Sequence, residues 1–162
     1  MYLAYDKLVA DWARMQCRLN RTQSTAPEHE MYVSRAPYNP CSVIASLCVA
    51  PFLGHRQHSH MWLLIQELLC RTGILLTTQT SLRLLCSVAM VVCAFHDDDY
   101  EWQWWARFVS EDGAPRMAVL HMDVLRRLNW SLMPSAGMMD TDEAYDIWVR
   151  ARCNMLKDVC TI

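Results

Sequence analysis

A chain of 162 residues is the length of one domain. Apolar residues make up 53% and charged residues 20%, ample for a core and incompatible with a disordered chain. The net charge of −2 supplies no basic field for nucleic acid, and the longest apolar stretch, Leu84 to Phe95, is too short to span a bilayer.

The N-terminal residues lack a basic region followed by an apolar one, so no secretory signal is expected. None of the eight cysteines belongs to a C-x-x-C pair, and most lie in apolar periodic runs. Free thiols in a reduced intracellular setting, cytoplasm or nucleus, are therefore expected.

The first segment, YLAYDKLVADWARMQCRLN, places Tyr5, Leu8, Val9, Trp12, Met15 and Leu19 on one helical face, with Asp6, Lys7, Asp11, Arg14 and Arg18 opposite. Residues 21–40 carry three prolines and many polar side chains, which predicts an irregular connector. A second helix is expected from Ser42 to Leu53, with Gly54 as its stop and Pro51 kinking it or ending it sooner. A third is expected from Ser59 to Arg71, capped by Ser59 and ended by Gly73 in the left-handed conformation.

The fourth helix is expected after Thr77 or Thr78, through SLRLLCSVAMVVCAF. It is apolar nearly all round, as a helix surrounded by others must be. A fifth starts near Gly113-Ala114-Pro115, where proline suits the first turn. Met117, Leu120, Val124 and Leu128 form its inner face, with Met122 and Leu125 beside them and Asp123 in reach of Arg126 and Arg127. A last helix is expected from Thr141 or Asp142, with Ala144, Trp148, Ala151, Met155 and Val159 facing inward. The fold class is thus all-α, an N-terminal helix and connector (1–40) followed by a helical domain (41–160) around a buried central helix.

The segment FHDDDYEWQWWARF, residues 95–108, sets acid beside ring area. A hard cation would want six or more oxygens and a glycine to turn the loop, and neither the glycine nor a matching bidentate glutamate is there. Solvated carboxylates at a helix end are the simpler reading of Asp97, Asp98 and Asp99. Trp102, Trp104 and Trp105 could stack bases, but such platforms come with basic grooves and only Arg107 is near. Packing is the simpler role for these indoles, with Trp102 the candidate for an exposed anchor.

His55, His58 and His60 in HRQHSH have no cysteine at zinc-motif spacing, so a polar loop between helices is expected there. Cys93 with His96 lies in the most apolar helix, where a thiol is unreactive. His121 and Asp123, two apart, do not share a helix face. No catalytic constellation, metal site or cofactor site follows from these residues.

LTTQTSLRLLCSVAMVVCAFHDDDYEWQWWA, followed by LHMDVLRRLNWSL, resembles the cyclin box, and most closely that of the Pho-type (P- or U-type) cyclins. The resemblance is carried by Leu76, Thr77, Arg83, Leu84 and Leu85 at the start of the central helix. Phe95, Asp97, Asp98 and Tyr100 match its end, and Trp105-Ala106 the return. Leu120, Met122, Asp123, Leu125, Leu128 and Trp130 match the next helix. The strong part covers residues 75–133. Cys41 to Gly73 fits two earlier box helices by length and pattern, and the rest by architecture.

The resemblance implies a five-helix cyclin box and a regulatory, non-catalytic role. The chain would bind a cyclin-dependent protein serine/threonine kinase, pack on its C-helix and stabilise the active arrangement. Kinase substrates or inhibitors would be further partners, and nucleic acid and membrane would not.

The implied contact neighbourhood is Ala94, Phe95, Asp97, Asp98, Tyr100, His121, Asp123 and Trp130. The family's lysine before the phenylalanine and its glutamate on the next helix are replaced here by Ala94 and His121. Ser110-Glu111-Asp112-Gly113 stands where a Gly-Gly is usual, and the substrate-docking motif of mitotic-type cyclins is missing. The alternative is a cyclin-fold adaptor that binds a protein without activating a kinase.

Overall fold

A computed structural model describes residues 2–48, 55–96 and 114–130. Every regular element among them is helical. Their order is α1 (Tyr2–Leu19), a 3₁₀ helix (Pro27–Tyr32), α2 (Pro40–Cys48), α3 (His55–Thr72), α4 (Ser81–His96) and α5 (Ala114–Arg127). The helix expected after Thr141, and Asp97 to Gly113 with their tryptophans, lie outside the described residues.

The hub is α4. Each of its residues from Ser81 to Cys93 is buried, and α2, α3, α5 and the 3₁₀ helix all pack on it. Its start is fixed by local side-chain chemistry. The Thr77 hydroxyl accepts from the amides of Gln79 and Thr80, both at 3.2 Å, while Thr80 Oγ1 accepts from the Thr77 amide at 2.9 Å. The Thr80 carbonyl then takes the first helical bond, from the Leu84 amide at 3.0 Å. Threonine hydroxyls that offer the backbone an alternative partner hold this lead-in as a turn and delay the helix to Ser81.

α1 packs on α2, but its buried stripe differs from the expected one. Val9, Trp12, Ala13 and Cys17 are buried, Met15 is half-buried, and Leu19 is 62% exposed. The side chains of Tyr5 and Leu8 lie outside the described set. α2 has nine residues against eighteen in α1, about 13 Å against 27 Å, so it covers only part of α1, and its Cys41 lies beside Ala10 and Arg14. The small side chains of Ala13 and Cys17 serve the contact. Burial pushes the Cys17 thiol up to about 11, so it stays protonated.

α2 starts earlier than expected. The Asn39 side chain accepts from the Cys41 amide at 2.9 Å, and Pro40 occupies the first turn. Residues 49–54, including Pro51 and Gly54, are outside the described set.

α3 also starts earlier, at His55, so HRQHSH forms helical turns instead of a loop. His60 brings the segment inward, at 1% exposure. α3 ends at Gly73, whose φ of +70° lies in the left-handed region and whose amide bonds the Leu69 carbonyl at 3.0 Å. Trp62 is fully buried, and its indole nitrogen has no hydrogen-bond partner among the described residues.

The connector is not merely irregular. His29, Tyr32 and Ser34 are buried, and the segment is tied to the hub along its length. The Ser34 amide donates to the Gln79 carbonyl at 2.8 Å, and the Tyr38 amide to the Thr78 carbonyl at 2.8 Å. Arg83, 7% exposed, donates from Nη1 to the Val33 carbonyl at 2.6 Å. A buried guanidinium needs acceptors, and the strap's backbone provides one.

Candidate functional site

The candidate residues sit on the last turn of α4 and along α5. Asp97, Asp98 and Tyr100 lie outside the described residues. Ala94 is half-buried, and Phe95 is 43% exposed immediately after the buried run of α4. The Phe95 ring meets His60 and His96 edge to face, at centroid separations of 5.3 and 5.1 Å. His60 Nδ1 and His96 Nε2 are 2.9 Å apart, so one of these nitrogens carries the proton and the other accepts it. The start of α3 and the end of α4 are therefore clasped around a surfacing aromatic ring.

On α5 the inner face is Met117, Leu120, Val124 and Leu128, all fully buried, with Leu125 at 8%. Met122, expected beside this face, is 38% exposed, and Val119 is half exposed. His121 is 9% exposed, and burial lowers its pKa below the ordinary histidine range. A nine-tenths buried imidazole offers little surface to a partner.

Asp123 is engaged within the fold. Its Oδ2 accepts from the Tyr32 hydroxyl at 2.5 Å and from Arg127 Nε at 2.6 Å. Arg127, not Arg126, is its ion-pair partner, and Arg127 Nη2 also donates to the Glu28 carbonyl at 2.8 Å. The Arg127 guanidinium stands 5.8 Å from the centre of the Tyr32 ring. Burial, then the carboxylate, raises the Tyr32 pKa, so the phenol remains a donor.

α5 closes with Asn129 and Trp130 both left-handed, at φ 51° and 60°. The Trp130 amide reaches back to the Leu125 carbonyl at 2.9 Å, the longer closing bond of a Schellman turn. Trp130 is presented to solvent at 59% exposure.

These placements separate the set. Asp123 is held through Tyr32 to the strap whose next residue, Val33, receives Arg83 from the first turn of α4. The end of α5 is tied to the end of α3 by the Arg71 guanidinium, which donates to the Leu128 carbonyl at 3.2 Å. Asp123 and Trp130 thus belong to the N-terminal end of α4, while Ala94 and Phe95 belong to its C-terminal end. The twelve helical steps from Arg83 to Phe95 amount to about 18 Å.

The sequence reading did not single out Tyr32 or the His60–His96 pair. Tyr32 finds Asp123 across 91 positions and His60 finds His96 across 36, distances over which periodicity carries no signal. Among the described residues no group of three or more histidine, cysteine, aspartate or glutamate side chains could hold a metal ion. None of their helices is long and apolar enough to cross a membrane. No family model and no curated protein matches the chain.

Proposed function

We propose that the chain is a cyclin-type regulatory subunit that binds a cyclin-dependent protein kinase through the C-terminal end of α4. The observation that carries this reading is the abrupt change at that end. α4 is buried without interruption to Cys93, and two residues later Phe95 stands 43% exposed on a histidine-clasped corner. A rigid hub that surfaces as one aromatic ring makes a good anchor for a partner's helix, because little side-chain freedom remains to be lost on docking. The family resemblance implies that the kinase C-helix packs at the end of the central helix. Packing there would favour the active kinase by differential binding, with no chemistry on this chain.

The second reading, an adaptor that binds without activating, is favoured by Ala94 and His121. The first has no polar reach, and the second is buried and neutral-leaning. Either partner would meet an apolar contact where the family uses a polar clamp.

Capture of cyclin-dependent kinases by the purified chain tests the location. Phe95→Asp is expected to weaken capture at least about tenfold, the scale of an interface anchor, while Trp130→Ala leaves it within about twofold. Equal capture by Phe95→Asp and the parent chain would remove this face from the account.

A further inference from the structure

We infer that the cleft between the end of α1 and the lead-in to α4 is a binding site for phosphoryl groups. The cleft encloses about 820 Å³ and is walled by three chain segments, the end of α1 with the turn after it, the residues just before α2, and Thr77 to Gln79. Three arginines line it, and none of its lining residues is a carboxylate.

Arg14 and Arg18 lie one helical turn apart on α1, Arg21 follows in the turn after the helix, and all three line the same cleft. Arg14 is partly engaged, donating to Cys41 Sγ at 3.4 Å and lying 3.6 Å from Asp11. Arg18 and Arg21 take part in no ion pair among the described residues. Arg18 and Arg21 are exposed and can each offer paired guanidinium hydrogen bonds to a phosphoryl group. Ser24, Thr25 and Thr78 add hydroxyl donors to the same wall.

A solvated arginine face would suffice if the walls were loose, but they are pinned to one another. Asn20 Nδ2 donates to the Leu76 carbonyl at 3.0 Å, joining the turn after α1 to the lead-in of α4. The Tyr38 amide donates to the Thr78 carbonyl at 2.8 Å, and Ser81 Oγ donates to the Tyr38 carbonyl at 3.0 Å. The cleft is therefore preformed, which lowers the ordering cost of a ligand. α2 and α4 also begin at this wall, so the positive ends of two helix dipoles add to the field. Their first amides are already capped, so the arginines would provide the direct bonds.

The inference does not depend on the kinase reading. Its test uses fluorescence anisotropy of a short labelled peptide carrying two phosphoserines, its unphosphorylated twin, and inorganic pyrophosphate as competitor. Saturable binding of the phosphopeptide, none of its twin, and displacement by pyrophosphate are expected. The double variant Arg18→Glu/Arg21→Glu should bind at least about tenfold more weakly, as loss of charge-assisted bonds requires. Arg126→Glu, a charge change on α5 outside the cleft, should leave binding unchanged.

Circular dichroism of each variant separates lost binding from lost folding. Tighter binding of the phosphopeptide than of pyrophosphate identifies a phosphorylated protein as the source, and the reverse order identifies a free phosphate compound. No saturable binding of either probe, or equal binding by the folded double variant, overturns the site.

Discussion

Replacing Tyr32 with phenylalanine removes one oxygen from a buried junction and leaves the ring in place. That oxygen donates at 2.5 Å to Asp123, whose same carboxylate oxygen also receives Arg127 at 2.6 Å. A hydrogen bond to a charged group contributes about 1.5–3 kcal/mol. Arg127 still partners the carboxylate in the variant, so the lower half of that range applies, about 1.5–2 kcal/mol. For a chain of this size, that lowers the melting temperature by about 3–8 °C.

Asp123→Ala is worse, about 3 kcal/mol, because it strands the Tyr32 hydroxyl at 0% exposure as well as removing the bond. Since the phenol has nothing left to bond in that background, adding Tyr32→Phe should cost little or nothing more. The two substitutions should therefore be non-additive by about 1.5 kcal/mol or more. Urea denaturation of the four proteins, compared at equal slope, measures both quantities. A Tyr32→Phe midpoint indistinguishable from the parent, or strictly additive effects, would refute the reading of Asp123 as a latch for the connector.

Gly73→Ala should destabilise by about 1–2 kcal/mol, through the left-handed backbone alone, because an added Cβ meets nothing within 4 Å. A melting shift of under about 1 °C would show that the end of α3 adjusts freely. His121 gives a pH dependence. Its folded pKa lies below its unfolded value of about 6.5, so the unfolded chain binds more protons and this residue's share of stability falls as pH drops through that interval. The parent should therefore lose more stability than His121→Gln between about pH 7 and pH 5, measured by denaturation at each pH. Parallel pH profiles would contradict the burial of the imidazole.

The all-helical class, the central position of α4 and the glycine stop at Gly73 could be read from local pattern. A helix buried on all sides must be apolar all round, and few residues but glycine accept φ +70° at low cost. The connector's irregular backbone was legible in its prolines and polar residues, but its burial was not, because composition reports backbone irregularity alone. Part of its hold on the core comes from backbone carbonyls meeting Arg83 and Arg127, and backbone atoms leave no mark in composition.

On α1, Val9 and Trp12 are buried as expected, and the rest of the stripe differs for a related reason. Hydrophobicity favours Met15 and Leu19, whereas close packing on the short α2 uses Ala13 and Cys17. HRQHSH looked like a loop because its side chains are polar, yet His60 turns inward to meet His96. Among the candidate site residues, Ala94 and Phe95 are neighbours in the chain. Their order in the chain could not reveal that Asp123 and Trp130 stand at the other end of α4, because that depends on the direction in which α5 crosses it.

The central claim is that this chain turns on a kinase by docking at Phe95. The direct measurement is the phosphorylation rate of a captured cyclin-dependent kinase with and without the purified chain, at saturating concentrations. The account predicts stimulation by the parent chain and none by folded Phe95→Asp. A kinase that binds the chain at saturation and works no faster would contradict it and leave the adaptor in its place.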